Sequence, residues 1–274
     1  MRIRIAYATT YQYDSPAKAV TQALRLTPRD HDGQNVLDWR IEPDPDTRLR
    51  ASEDAFGNRI HTLTYGEALS RVTILVSGEV ETSNTDGVVR GAAEPLPPGV
   101  FLRDTPLTEA DVELRRFAIG AMGSATHTLD RLHRLMSTLC DEVAFDTEAT
   151  EVTGTAAEAF AQRRGVCQDL SHIFIAAART ADIPARYVSG HLVRADGAID
   201  QQAAHAWAEA YVPALGWVGF DPANSCSPTE AYVRVAVGFD YLSASPFRGA
   251  RSGGGDERMT VKLRVAEAAR QTQS

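Results

Sequence analysis

A cysteine, a histidine and an aspartate in this chain stand where acyl transfer would need them. Cys167 follows Gly165-Val166 and precedes Gln168-Asp169, and then Leu170, Ile173, Phe174, Ala177, Ala178 and Ala181 fall on one face of an α-helix that Pro184 stops. A helix start has unpaired backbone N–H groups and the positive end of the macrodipole, so it stabilises a thiolate and suits a nucleophile. A lone cysteine is more commonly a small buried hydrophobe, and position by itself does not overturn that. His205 lies in the strand pattern Ala204 to Val212, where alternation puts His205, Trp207, Glu209 and Tyr211 on one face and four alanines with Val212 on the other. The alanine face accepts a helix closely. If that helix is the one led by Cys167, the imidazole reaches the thiol and takes its proton. The next strand, Gly216 to Phe220, follows a turn at Pro213-Ala214-Leu215-Gly216 and brings Asp221 nearly opposite His205, within a register step. A carboxylate there would hold the ring by its second N–H. Alone, an aspartate before Pro222 is more often a turn residue.

Three blocks now carry a resemblance: Gly165-Val166-Cys167-Gln168-Asp169-Leu170-Ser171-His172, Ile183-Pro184-Ala185-Arg186-Tyr187-Val188-Ser189-Gly190, and His205 through Asp221-Pro222. They resemble the core of bacterial transglutaminase-like proteins, which have a papain-like fold. The resemblance covers about Thr108 to Leu242, and the strand-rich segment before it looks like the N-terminal region that commonly precedes this core. It implies a nucleophile at Cys167, a base at His205 and an orienting acid at Asp221. The implied reaction is attack on an amide carbonyl through a thioester, with hydrolysis by a cysteine peptidase or amidase ranked first. Protein-glutamine transglutaminase activity, or a catalytically degenerate binding module, are the alternatives. Two departures from the family pattern, Gln202-Ala203-Ala204 before His205 and Phe239 before Asp240-Tyr241, bear on substrate specificity.

The backbone N–H of Cys167 is a natural oxyanion donor. A second donor is expected from Gln162, Gln168 or Trp207, which the sequence does not rank. Cys140 closes an apolar helix stripe and reads as core; Cys226, after Asn224-Ser225, reads as a loop thiol. His172 lies five residues beyond Cys167, about 140° around a helix, and reads as structural. His191 with His172 and Cys167 does not make a zinc-ligand spacing, and no calcium loop of alternating acidic residues is present, so no metal or cofactor is expected.

The elements that must position these residues are α+β in class. Arg2 to about Gly87 alternates with period two, at Ile3, Ile5 and Tyr7 and again at Val72, Ile74, Val76 and Val80, between turn-forming clusters. This predicts an all-β sandwich or barrel as a first domain over 1–90. A Pro- and Gly-rich linker follows over 91–107, then a catalytic core over 108–250 in which the helix led by Cys167 packs on an antiparallel sheet. Helical spacing runs over Thr108 to Ala121 and Thr128 to Val143, and Thr155 with Glu158 forms a capping box that opens a third helix. Residues 251–274 read as a Gly-rich connector, one more strand through Met259, Val261, Leu263 and Val265, and a polar tail.

The composition narrows the partners. With 274 residues, 43 % apolar and 23 % charged, the chain is a folded globular protein. Its net charge of -8 gives nucleic acid and anionic lipid no electrostatic hold, and no run reaches the roughly 18 apolar residues of a membrane helix. A peptide, a protein or a small amide is the expected substrate. Three cysteines and an N-terminus without signal-peptide character point to a reducing cytoplasm.

Overall fold

The computed structural model describes residues 1–147 and 154–268. In chain order its strands are β1 (Arg2–Thr27), β2 (Gln34–Asp44), β3 (Arg50–Glu53), β4 (Arg59–Tyr65), β5 (Leu69–Thr82), β6 (Val88–Val89), β7 (Ala144–Phe145), β8 (Arg164–Gly165), β9 (Ala185–Leu192), β10 (Asp200–Gln201), β11 (His205–Val212), β12 (Gly216–Phe220), β13 (Tyr232–Gly238), β14 (Phe247–Gly253) and β15 (Glu257–Glu267). The helices are α1 (Val112–Met122), α2 (Thr128–Glu142), α3 (Ala156–Gln162), α4 (Cys167–Thr180) and α5 (Tyr241–Ala244).

The N-terminal region is built around β1, whose alternating pattern buries Ile3, Ile5, Tyr7 and, further on, Val20 and Leu24. Its first half pairs with β5 and β15, its second half with β4 and β14, all antiparallel. The gaps between β4 and β5 and between β14 and β15 face the same stretch of β1, residues 13–17, where its own register shifts. Side chains from both halves of β1 share one core with Leu63, Val72 and Leu263. The all-β region is therefore a single eight-stranded sheet wrapped over one core.

Two of those strands come from the far end of the chain. Residues 251–255, expected as a flexible connector, instead finish β14 and turn into β15, with Gly254 and Asp256 carbonyls accepting from Ser15 and Asp14 N–H at 3.1 Å. Gly254 (φ 99°) and Gly255 (φ 62°) sit in left-handed backbone, which only glycine adopts freely. The polar tail from 269 onward lies outside the described residues. The Pro-rich stretch is likewise held: Glu94 is paired with Arg186, and Phe101 is buried beside Phe56, Trp217 and Phe239, while β6, just before it and inside the segment expected as the first domain, pairs with β12.

The second sheet has the order β13-β9-β11-β12-β6 and is antiparallel throughout. Its alanine face, Ala206, Ala208 and Ala210 with Val212, packs against Ile173, Phe174, Ala177 and Ala178 of α4. Methyl-sized side chains let the helix sit close, as the alternation predicts, while α1, α2 and α3 cover the rest of α4. The first helix begins at Val112 rather than Thr108, because Asp111 accepts from Leu114 N–H as N-cap. Thr108 turns inward instead, where its Oγ1 accepts from Arg179 at 2.6 Å.

The opposite face of the sheet carries buried ions. Glu209, 0 % exposed, accepts from Arg186 Nε and Arg234 Nε, each at 2.7 Å, which joins the neighbouring strands β9, β11 and β13. Burial alone would favour protonated Glu209, but the two guanidinium groups outweigh it and push its pKa down to about 2.

Candidate active site

The site lies where α4 starts and β11 starts. Val166 is the extended residue before α4, and its N–H donates to Asp169 Oδ2 at 2.9 Å, which closes the helix start. Gly165 is needed for that approach, since a Cβ there would lie 2.6 Å from the Asp169 Cβ. Cys167, half-buried and free of any disulfide, is thereby placed as the first helical residue, and its carbonyl accepts from Ser171 Oγ at 2.7 Å.

His205 is the first residue of β11, so its ring stands at the end of the sheet with only 13 % of the side chain exposed. The Cys167 thiol is near enough to this ring to help raise its pKa. Nε2 lies 2.6 Å from Asp221 Oδ2, which leaves Nδ1 for the sulfur. Burial works against a charge on this ring, but hydrogen bonds to Asp221 and Cys167, with Coulombic attraction to both, push its pKa up to about 10. The imidazolium is therefore the form at neutral pH.

Asp221 is fully buried, one residue past β12. The ladder pairs Ala208 with Phe220, so Asp221 follows in register with Trp207 and meets His205 on the diagonal. The sequence reading of a near-opposite position is thus displaced by two residues, and the reach of the imidazole spans the gap. The turn role expected of an aspartate before proline is also realised, on the other oxygen: Oδ1 accepts from the N–H groups of Ala223 and Asn224 at 3.0 and 3.3 Å. Oδ2 accepts from His205, from Asn224 Nδ2 at 2.7 Å and from the Tyr232 hydroxyl at 2.8 Å. Burial opposes ionisation of this carboxyl, yet the His205 bond and the further donors hold it below the usual carboxylate value. Neither Asn224 nor Tyr232 was found by sequence reasoning. Asn224 carried a usable signal, because Asp-Pro-Ala-Asn is turn-forming; Tyr232, eleven residues away on β13, carried none.

The remaining candidates sort by position. Gln168 is half-buried in the first turn of α4 next to Cys167, and Gln162 is the exposed last residue of α3. Trp207 is only 2 % exposed and packs with Val188, Tyr232 and Val237, its ring stacked on His205 at 6.2 Å. It buttresses the imidazole from behind and, so buried, is not placed as an oxyanion donor. Cys140 packs at the helical core and donates its thiol proton to the Pro222 carbonyl at 2.9 Å, while Cys226 sits 3.4 Å from the Tyr232 hydroxyl. Burial pushes both of those thiols up in pKa. His172 is completely buried and accepts from the Tyr241 N–H at 3.0 Å; His191 is buried edge-on to Tyr7. Among the described residues no three His, Cys, Asp or Glu side chains converge as a metal site.

This fold and this arrangement define a transglutaminase-like protein, a class whose chemistry is thiol-dependent. Residues 115–222 match the transglutaminase-like superfamily and residues 3–81 match the bacterial transglutaminase-like N-terminal region, so the chain belongs to that family in both parts. Over nearly its whole length it is similar to an uncharacterized protein of Mycobacterium leprae (strain TN), 29 % identical over 98 % of this chain and 99 % of the other. An uncharacterized protein of Mycobacterium bovis is 27 % identical over 90 % of this chain and 87 % of its own. A crystal structure from Cytophaga hutchinsonii, described as that of a candidate cysteine protease, superposes with a TM-score of 0.79 at 21 % identity, covering 100 % of this chain and 92 % of that one. That likeness shows the shared fold.

Proposed function

We propose that the protein hydrolyses amide bonds in peptides or small amides through a thioester on Cys167. The observation that carries this reading is the His205 imidazolium, held at 2.6 Å by the buried Asp221 and near enough to the Cys167 thiol for the two to interact. The sulfur attacks the carbonyl carbon, and the developing oxyanion meets the N–H of Cys167 at the helix start. Collapse of the tetrahedral adduct breaks the C–N bond, and the leaving amine takes its proton from His205. Water then adds to the thioester as His205 accepts its proton, and the acid departs with the thiolate restored. Asp221 stays ionised throughout. The half-buried sulfur and partly exposed imidazole leave water a path to the thioester, which favours hydrolysis over capture by an amine.

Iodoacetamide at pH 6, with the labelled residue located by mass spectrometry, tests the pair. Cys167 is expected to alkylate well ahead of Cys140 and Cys226, and Cys167→Ala is expected to abolish peptide or amide cleavage while keeping its fold. Preferential labelling of either other thiol, or turnover by the alanine variant, would sink the reading. Repeating turnover with an added primary amine separates the outcomes: a free acid supports hydrolysis, and an amine adduct replaces it with transglutamination.

A further inference from the structure

We infer that Tyr232 is a positioning residue: its hydroxyl, reaching from β13, fixes the Asp221 oxygen that serves His205, and Trp207 holds the tyrosine in place across Gly190. The inference rests on the proposed role of Cys167, and it assigns part of the apparatus to a strand two places away from β11.

Three donors converge on Asp221 Oδ2: His205 Nε2 at 2.6 Å, Asn224 Nδ2 at 2.7 Å and Tyr232 Oη at 2.8 Å. They are not equivalent. Asn224 belongs to the same turn as Asp221 and moves with it, as do the two N–H groups on Oδ1. Tyr232 alone among these donors ties the carboxylate to the far edge of the sheet, since among the described strands β13 pairs with β9 and β9 lies between it and β11. Without that tie, rotation of the carboxylate together with its turn would carry Oδ2 away from the imidazole.

Tyr232 is itself held. The Trp207 indole meets its ring edge-on at 5.5 Å and stacks on His205, so one side chain braces both partners of Asp221. The indole crosses β9 at Gly190, where a Cβ would lie 2.5 Å from Trp207 Cη2 and 2.2 Å from the Val233 carbonyl. A side chain at that position therefore displaces the tryptophan or the strand. Burial first, and the adjacent Asp221 second, push the Tyr232 hydroxyl far up in pKa, so it keeps its proton to donate. It accepts in turn from the Cys226 thiol at 3.4 Å.

Tyr232→Phe keeps the ring and its contact with Trp207 and removes the hydroxyl alone. Two readouts test it. In the otherwise native protein, iodoacetamide labelling of Cys167 at pH 6 is expected to slow by about tenfold, and the acid edge of the rate profile to move to higher pH as Asp221 loses a donor that keeps it ionised, with little change in Tm. In the Cys167→Ala background, where the thiol plays no part, the downfield NMR signal of the His205 ring proton on Asp221 is expected to shift when Tyr232 becomes Phe. An unmoved signal, or labelling and pH profile unchanged with only Tm altered, overturns the positioning role. If native Cys167 shows no selective labelling while the ring-proton signal still shifts, the proposed reaction fails and the hydrogen-bond geometry stands.

Discussion

His205 and His172 are both withdrawn from water, yet at neutral pH the first is a cation and the second is neutral. At the mouth of α4, His205 has a buried carboxylate at 2.6 Å and a thiol beside it, and its pKa rises to about 10. Five residues along the helix, His172 is 0 % exposed, accepts one backbone N–H, and its Nδ1 has no partner among the described residues. Burial dominates there, with Asp240 and Arg179 pulling in opposite directions, and the pKa falls to about 4. The contrast teaches that partners, and not depth, decide which buried group is ionised in this molecule.

Glu209 follows the same rule and offers the strongest way to break it. Glu209→Gln leaves Arg234 facing a neutral amide and Arg186 with Glu94 as its one paired carboxylate, and unfolding in urea is expected to show a loss of about 3 kcal/mol. A smaller cost than about 1 kcal/mol would mean that depth matters more than pairing. Next in size, Asp221→Asn keeps the shape of the site and removes the counter-charge of His205. Iodoacetamide labelling of Cys167 at pH 6 is expected to fall on the order of 100-fold; a rate near the native one would erase the distinction between the two histidines.

The smallest expected effect is in the pH dependence of stability, and here the two histidines pull on opposite limbs. His205 has a folded pKa above its unfolded value of about 6.5, so its stabilising contribution is complete below that value and is lost as pH rises through about 10. His31, His172 and His191 each have folded values near 4, with burial the leading cause. The unfolded chain takes up their protons first, so stability falls as pH drops from about 6.5 towards 4. Maximum stability is expected between the two windows. His172→Met is expected to flatten the acid limb by about 1 kcal/mol or more without altering the alkaline one, as read from urea midpoints across pH. An unchanged acid slope would place the proton uptake elsewhere.

Much of the core was legible because its signals are local. Helix spacing after Cys167, alternation from Ala204 to Val212 and the turn before Gly216 each describe one element, and each element forms over nearly those residues. The Pro- and Gly-rich stretch and residues 251–255 were misread for the opposite reason. Their composition is that of free chain, while their order comes from contacts with residues remote in sequence: Glu94 with Arg186 and Phe101 with Trp217 in the first, and pairing with β1 in the second. The N-terminal alternation announced strands but could not show that one of them carries two pairs of neighbours.

Residue types and their periods determined, without coordinates, that a thiol would lead a helix and that an imidazole strand with an alanine face would receive it. Such patterns depend only on neighbours along the chain. Which oxygen of Asp221 meets the ring, that Tyr232 and Asn224 hold it, and that His205 is charged while His172 is not were decided by the tertiary structure alone, because hydrogen bonds and ionisation depend on distances between segments that the chain order does not contain.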